Sequence, residues 1–191
     1  MGKNLSGGLN IVNIENVVAS AFLDQRLDLS AIVRLFPNVE YKPEQFPGLV
    51  YRLKKPKTAT LIFASGKLVC TGAKSESEAR KAVLKVIEDL RKNGLMSTSN
   101  VNIQIQNIVA SAELNGTIDL EKSIYALERT MYEPEQFPGL IYRMDNPKVV
   151  MLLFASGKLV CTGAKKESEV VDAVNKLKKI LEERGLIKYR S

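Results

Sequence analysis

At 191 residues, 45% of them hydrophobic, the chain is long enough to fold as one domain or as two small ones, and no apolar run approaches the roughly 20 residues of a membrane span. A formal net charge of +7 permits a polyanionic partner without selecting nucleic acid, and the opening Met1-Gly2-Lys3-Asn4 has no signal-peptide core, so a soluble cytosolic or nuclear protein is expected. Two cysteines, Cys70 and Cys161, and no histidine remove the commonest metal ligand and the commonest acid–base catalyst; no metal or cofactor is expected, and an enzyme would have to work with Asp, Glu, Lys or Cys.

In chain order, Val12 to Leu23 reads as a strand, and Asp28 then caps a short helix that offers Leu29, Ile32, Val33 and Leu35. A Pro-Glu-Gln-Phe-Pro-Gly stretch follows, where Pro43 and Pro47 demand a turn or bent loop because proline cannot sit inside a central strand. Strands are predicted at Leu49 to Leu53, Thr58 to Ala64 and Leu68 to Thr71. Ser75-Glu76-Ser77-Glu78 has capping-box spacing, and Ala79, Ala82, Val83, Val86, Ile87 and Leu90 recur at helical intervals until Gly94. Met96 to Asn100, short and Ser-rich, reads as a linker.

The rest of the chain repeats this half. YKPEQFPGLVYR (41–52) returns as YEPEQFPGLIYR (132–143), FASGKLVCTGAK (63–74) returns unchanged at 154–165, and NVVASA (16–21) returns as NIVASA (107–112), all at an offset of 91 with no insertion or deletion. Asp119 repeats the short-helix cap, Pro134 and Pro138 repeat the turn, and the second long helix runs through Val170, Ala173, Val174, Leu177 and Leu181 to Gly185. Lys166 stands at its capping position, so that helix start should be weaker. The expected organisation is two repeats, 1–95 and 96–191, related by a pseudo-twofold axis and suited to a nearly symmetric partner.

The hairpin around Ser65-Gly66 is apolar on both faces. Leu61, Phe63, Val69 and Thr71 share one parity, and Ile62, Ala64, Leu68 and Cys70 the other; the turn leaves the register open by one residue. One long helix per repeat can cover one face. The other face is either closed by the second repeat or left open for a partner. Arg52, Lys67 and Lys74 fall at the strand edges and recur as Arg143, Lys158 and Lys165, an apolar strip fringed by cations that suits a groove walled by phosphates.

With these motifs in view the chain resembles the TATA-box-binding protein family over nearly its whole length. The resemblance implies an α+β fold: a two-repeat saddle, a curved antiparallel sheet with helices on the convex face. The implied function is general transcription initiation without catalysis, through binding and bending of A·T-rich promoter DNA from the minor groove; this family is a standard case of bending by apolar wedges between base steps. Carried over by position, Phe46 with Phe63 and Phe137 with Phe154 become wedge pairs. Asn16 and Asn107, at the pseudo-dyad, offer amide hydrogen bonds to minor-groove acceptors, and Val18, Val109, Leu61, Leu152, Val69, Val160, Thr71 and Thr162 line the floor. Arg52, Arg143, Lys67, Lys158, Lys74 and Lys165 become phosphate ligands. Glu133, Glu135 and Gln136 become the contact for transcription factor B, and RNA polymerase is reached indirectly. Cys70 and Cys161, of opposite parity, are expected as small buried hydrophobes under the helices.

The long N-terminal extension of eukaryotic relatives is not seen, which favours an archaeal, cytoplasmic, nucleoid-associated protein over a nuclear eukaryotic one, while the end Lys188-Tyr189-Arg190-Ser191, without the acidic tail of some archaeal relatives, leaves open how nonspecific DNA binding is limited. Whether the DNA-free protein forms a homodimer through the same face stays open. The competing reading is a duplicated α+β scaffold that binds a protein or small molecule on its apolar face, its positive charge incidental.

Overall fold

A computed structural model describes residues 3–4, 11–97 and 101–190. The expected linker falls outside the described residues at positions 98–100, as do Met1, Gly2 and the final Ser191. The strands are β1 (Lys3–Asn4), β2 (Ile11–Phe22), β3 (Leu49–Lys54), β4 (Lys57–Ile62), β5 (Lys67–Ala73), β6 (Ile103–Glu113), β7 (Gly116–Ile118), β8 (Thr130–Met131), β9 (Leu140–Met144), β10 (Val149–Leu153), β11 (Lys158–Ala164) and β12 (Ile187–Tyr189). The helices are α1 (Leu29–Leu35), α2 (Glu76–Lys92), α3 (Leu120–Ala126) and α4 (Glu167–Glu183). The chain divides into two compact units, Asn16–Gln106 and Met1–Glu15 with Asn107–Ser191.

In the unit Asn16–Gln106, antiparallel strands run in the order β3-β4-β5-β2, and α2 packs on β5 and β4. The helix forms where the capping box expects it: the Ser75 hydroxyl accepts the Glu78 N–H at 3.0 Å, and the helix buries Ala79, Ala82, Val83, Val86, Ile87 and Leu90. Gly94, at φ 72°, ends it, with the Leu95 N–H donating to the Leu90 carbonyl. Asp28 caps α1 through the Ala31 N–H, but only Leu29 and Ile32 are buried; Val33 is 39% and Leu35 50% exposed. The expected four-residue apolar face is narrower because a helix of 7 residues buries only the i, i+3 pair Leu29 and Ile32.

The β4–β5 turn settles the register. Phe63 N–H donates to the Lys67 carbonyl and Gly66 N–H to the Phe63 carbonyl, with Gly66 at φ 97°, a turn closed by a residue in the left-handed region. Leu61 therefore pairs with Val69 and Thr60 with Cys70. Because the turn consumes Phe63 and Ala64, β4 ends at Ile62, two residues before the strand end read from the sequence.

The unit containing Asn107–Ser191 repeats these parts as β8-β9-β10-β11-β6, with α4 on β11. Asp119 caps α3 through the Lys122 N–H at 2.9 Å. Lys166 makes no side-chain cap bond to α4, as its charge and lack of an acceptor require; the Lys165 N–H turns instead to the Glu169 carboxylate at 3.1 Å. The additional pair β7–β12 ties residues 187–189 to this unit.

Candidate nucleic-acid interface

The two faces of each sheet differ sharply in exposure. In the first unit, Tyr51, Thr60, Cys70 and Ala19 form one cross-strand row, and Leu49, Ile62, Leu68 and Ala21 another; all are buried on the helix side. The alternating residues form the rows Val50–Leu61–Val69–Ser20 and Arg52–Ala59–Thr71, half-buried apart from the exposed Arg52. In the second unit the matching rows are Ile141–Leu152–Val160–Ser111 and Arg143–Val150–Thr162. None of the ten expected floor residues is fully buried, while Val17, Ile62, Cys70, Ile108, Met151 and Cys161 beside them are at 0%. Within each unit this face is thus less buried than the face under the helix. Val50, Ile141, Ala59, Val150, Ser20 and Ser111 share the face and escaped sequence reasoning, although Val50 and Ile141 have the parity of Arg52 and Arg143.

The two asparagines are fixed in one orientation. Asn16 Oδ1 accepts the Gly72 N–H at 2.7 Å, and its Nδ2 lies 3.1 Å from the Thr71 hydroxyl; Asn107 makes the same bonds to Gly163, at 2.7 Å, and Thr162, at 3.2 Å. Both glycines lie near φ 100° in irregularities of β5 and β11 that turn their N–H groups toward the amides. Since a backbone N–H needs an acceptor, the amide oxygen is committed. The remaining Nδ2–H is a donor available at the open face.

The phenylalanines meet in pairs, Phe46 with Phe63 and Phe137 with Phe154, with centroids 5.8 Å apart and planes at 71° and 73°. This edge-to-face packing requires a glycine beneath each pair: a Cβ on Gly48 or Gly139 would lie 2.7 Å from the edge of Phe46 or Phe137. Phe46 and Phe137 are nevertheless 42% and 41% exposed, an uncommon state for a large apolar ring.

The cations take two positions. Lys67 and Lys158 start β5 and β11 just past the turns, exposed. Arg52 borders an open depression with Lys54, Lys57, Asn16 and Thr71; Arg143 borders its counterpart with Arg129, Lys148 and Lys165. Lys54, Lys57, Arg129 and Lys148 are thus further cations of these depressions that the repeated motifs did not single out. Lys74, exposed at the end of β5, occupies the position that Lys165 occupies after β11. Arg52 is ion-paired to Glu40 at 2.9 Å, and its hydrogen bond and charge hold the Glu40 carboxyl below the usual range.

Glu133, Glu135 and Gln136 are all exposed, on the loop that also carries Phe137. The loop turns through Gln136 and Phe137 N–H bonds to the Glu133 carbonyl at 3.0 Å, and its first-repeat counterpart turns identically on the Lys42 carbonyl. The difference between the two loops is one of side chain, not of backbone. Cys70 and Cys161 lie at 0% exposure under the helices, as their parity predicts, and burial pushes the Cys161 thiol up to about 12. Among the described residues no helix is long and apolar enough to cross a membrane.

The family model for transcription factor TFIID (or TATA-binding protein, TBP) matches residues 11–93 and again 102–184, two stretches that follow the internal repeat. The TATA-box-binding protein of Sulfolobus acidocaldarius is 60% identical over 167 residues, 87% of this chain and 85% of the relative. That of Methanothermobacter thermautotrophicus is 52% identical over 176 residues, 92% and 97% respectively. The solved structure of Methanococcus jannaschii TBP matches with a TM-score of 0.81 at 48% identity, covering 90% of this chain and 98% of that one. The α+β fold of two repeats, antiparallel sheet and four helices is the fold of that structure.

Proposed function

Because the chain belongs to the TATA-box-binding protein family and is with it a general transcription initiation factor, we propose that its open sheet faces take the minor groove of A·T-rich promoter DNA, bend it, and catalyse no reaction. What supports this reading is the remaining Nδ2–H donor of Asn16 and Asn107, whose amide oxygens are committed to the Gly72 and Gly163 N–H groups, amid a half-buried apolar floor. Adenine N3 and thymine O2 are acceptors and satisfy such donors. The guanine amino group, itself a donor, meets an N–H or carbon and loses its hydrogen bond.

Each repeat, 1–95 and 96–191, supplies one half of the grip. The paired phenylalanines act as wedges that enter between base steps and open the groove toward the apolar floor. Arg52, Arg143, Lys67, Lys158, Lys74 and Lys165, with Lys57 and Lys148 beside them, hold phosphates and add affinity without reading sequence. Glu133, Glu135 and Gln136 receive transcription factor B, which brings RNA polymerase, and the protein works at the nucleoid.

A gel-shift comparison of A·T-rich and G·C-rich duplexes at two salt concentrations tests the reading. It predicts preference for the A·T-rich duplex and weaker binding of both at higher salt. Equal binding, or binding indifferent to salt, would favour a scaffold whose apolar face serves a protein or small molecule.

A further inference from the structure

The two repeats hold their edge arginines differently. Glu40 sits opposite Val50, fixed by backbone hydrogen bonds in both directions at 2.8 and 3.1 Å, and from there its carboxylate reaches Arg52 at 2.9 Å. The matching backbone slot in the second repeat is Met131 opposite Ile141. Met131 is 56% exposed and carries no charge, and among the described residues no carboxylate lies within ion-pair distance of Arg143. Arg143 instead borders a depression with Arg129, Lys148 and Lys165, where the Arg129 guanidinium is the one paired, with Asp145.

We propose that Glu40 is an internal competitor of the DNA backbone for Arg52, so that the first repeat grips phosphate at this position more weakly than the second. The inference rests on the reading of Arg52 as a phosphate ligand. Arg52 and Glu40 are 60% and 49% exposed, so the pair is weak enough to be exchanged for a phosphate. Exchange strands the Glu40 carboxylate beside a polyanion, where it must recruit a cation or repel the nearest phosphate. Part of the attraction of Arg52, and part of its counterion release, is thereby cancelled. Arg143 has no ion pair to give up among the described residues, and the carboxylate that lines its depression, Glu169, is outnumbered there by Arg129, Lys148 and Lys165. At this position the two repeats, alike in their YxPEQFPGLxYR and FASGKLVCTGAK motifs, thereby gain an unequal grip on the two ends of the DNA site.

The test uses the full chain and one A·T-rich duplex, with affinity measured across a salt series for Glu40→Gln, Arg52→Ala, the double variant, Met131→Glu and the control Glu44→Gln. Glutamine keeps the backbone bonds at position 40, so the fold is retained. Glu40→Gln should raise affinity about two- to fivefold at low salt and steepen the salt dependence, and both gains should vanish on the Arg52→Ala background. Met131→Glu should lower affinity by a similar factor, and Glu44→Gln should have less than half the effect of Glu40→Gln. The proposal is overturned if Glu40→Gln leaves affinity unchanged while Arg52→Ala weakens it, or if the gain persists without Arg52. An Arg52→Ala variant with unaltered affinity and salt slope would instead remove Arg52 from the phosphate ligands and the competitor with it.

Discussion

Gly139→Ala tests the wedge assignment without deleting a ring. An added Cβ would stand 2.7 Å from Cε1 of Phe137 and 3.1 and 3.2 Å from the edge of Phe154, whereas ordinary contact begins near 3.4 Å. Phe137 must therefore yield by at least 0.7 Å, the difference between 2.7 and 3.4 Å. It can do so by swinging outward, since it is 41% exposed, so the overpacking cost should fall near the low end of the usual ~1–3 kcal/mol. The smaller entropy of the unfolded alanine chain returns ~0.4–1 kcal/mol, because the Gly139 backbone is not in the left-handed region. Net stability should change by less than about 2 kcal/mol. What is lost is the edge-to-face contact, ~0.5–1.5 kcal/mol, which presets the pair for insertion; the DNA complex should dissociate about two- to tenfold faster and bend less. A circular dichroism melt and a stopped-flow fluorescence measurement of the bend would check this. Wild-type bend and lifetime would refute preorganisation of the pair, and a melt like that of a core deletion would refute its placement at the surface.

Other perturbations address the remaining parts of the site. Asn107→Asp keeps the acceptor for the Gly163 N–H but replaces the open-face donor with a charge facing groove acceptors; the fold should survive and DNA affinity fall by about 1–3 kcal/mol, measured by melting and titration. Arg143→Ala and Lys158→Ala should weaken A·T-rich and G·C-rich duplexes alike, each flattening the salt slope by about one unit; an unchanged slope removes that residue from the phosphate ligands. Lys42→Glu combined with Glu133→Lys exchanges the one side-chain difference between the matching loops 41–48 and 132–139, so footprinting should find transcription factor B weakened on its usual side and gained on the other. Burial raises the Cys161 thiol from 9.0 to about 12, so between those values the folded state keeps a proton that the unfolded state loses. Stability, full below pH 9, should then fall with a contribution of up to about 1.4 kcal/mol per pH unit, and Cys161→Ala should remove that contribution in urea melts.

Much of the site was legible because it is duplicated. A motif that returns at a fixed offset marks its own candidate positions, and strand parity separated Leu61, Val69 and Thr71 from Ile62, Leu68 and Cys70 before any register was known. Register itself depends on where one glycine closes a turn, and Gly66 could have closed it a residue earlier or later by composition alone. The orientation of Asn16 follows from the backbone at Gly72, 56 residues away, and the Glu40–Arg52 pair from a strand edge that aligns side chains 12 apart; neither leaves a local pattern. The units divide at Glu15/Asn16 and Gln106/Asn107, inside β2 and β6, where the strand alternation continues and no turn residue marks a boundary.

On the proposed function, the Phe46–Phe63 and Phe137–Phe154 pairs and the fixed amide donors of Asn16 and Asn107 turn the half-buried sheet face into a DNA-bending one. The most direct measurement is energy transfer between dyes on the two ends of a short A·T-rich duplex, titrated with wild-type protein and with Phe154→Ala. Wild-type protein should draw the ends together at saturation. Phe154→Ala, folded by circular dichroism, should bend the duplex less and lose about 1–3 kcal/mol of affinity. A duplex that saturates with its ends no closer, or a variant that bends it as fully as the wild type, would contradict the claim.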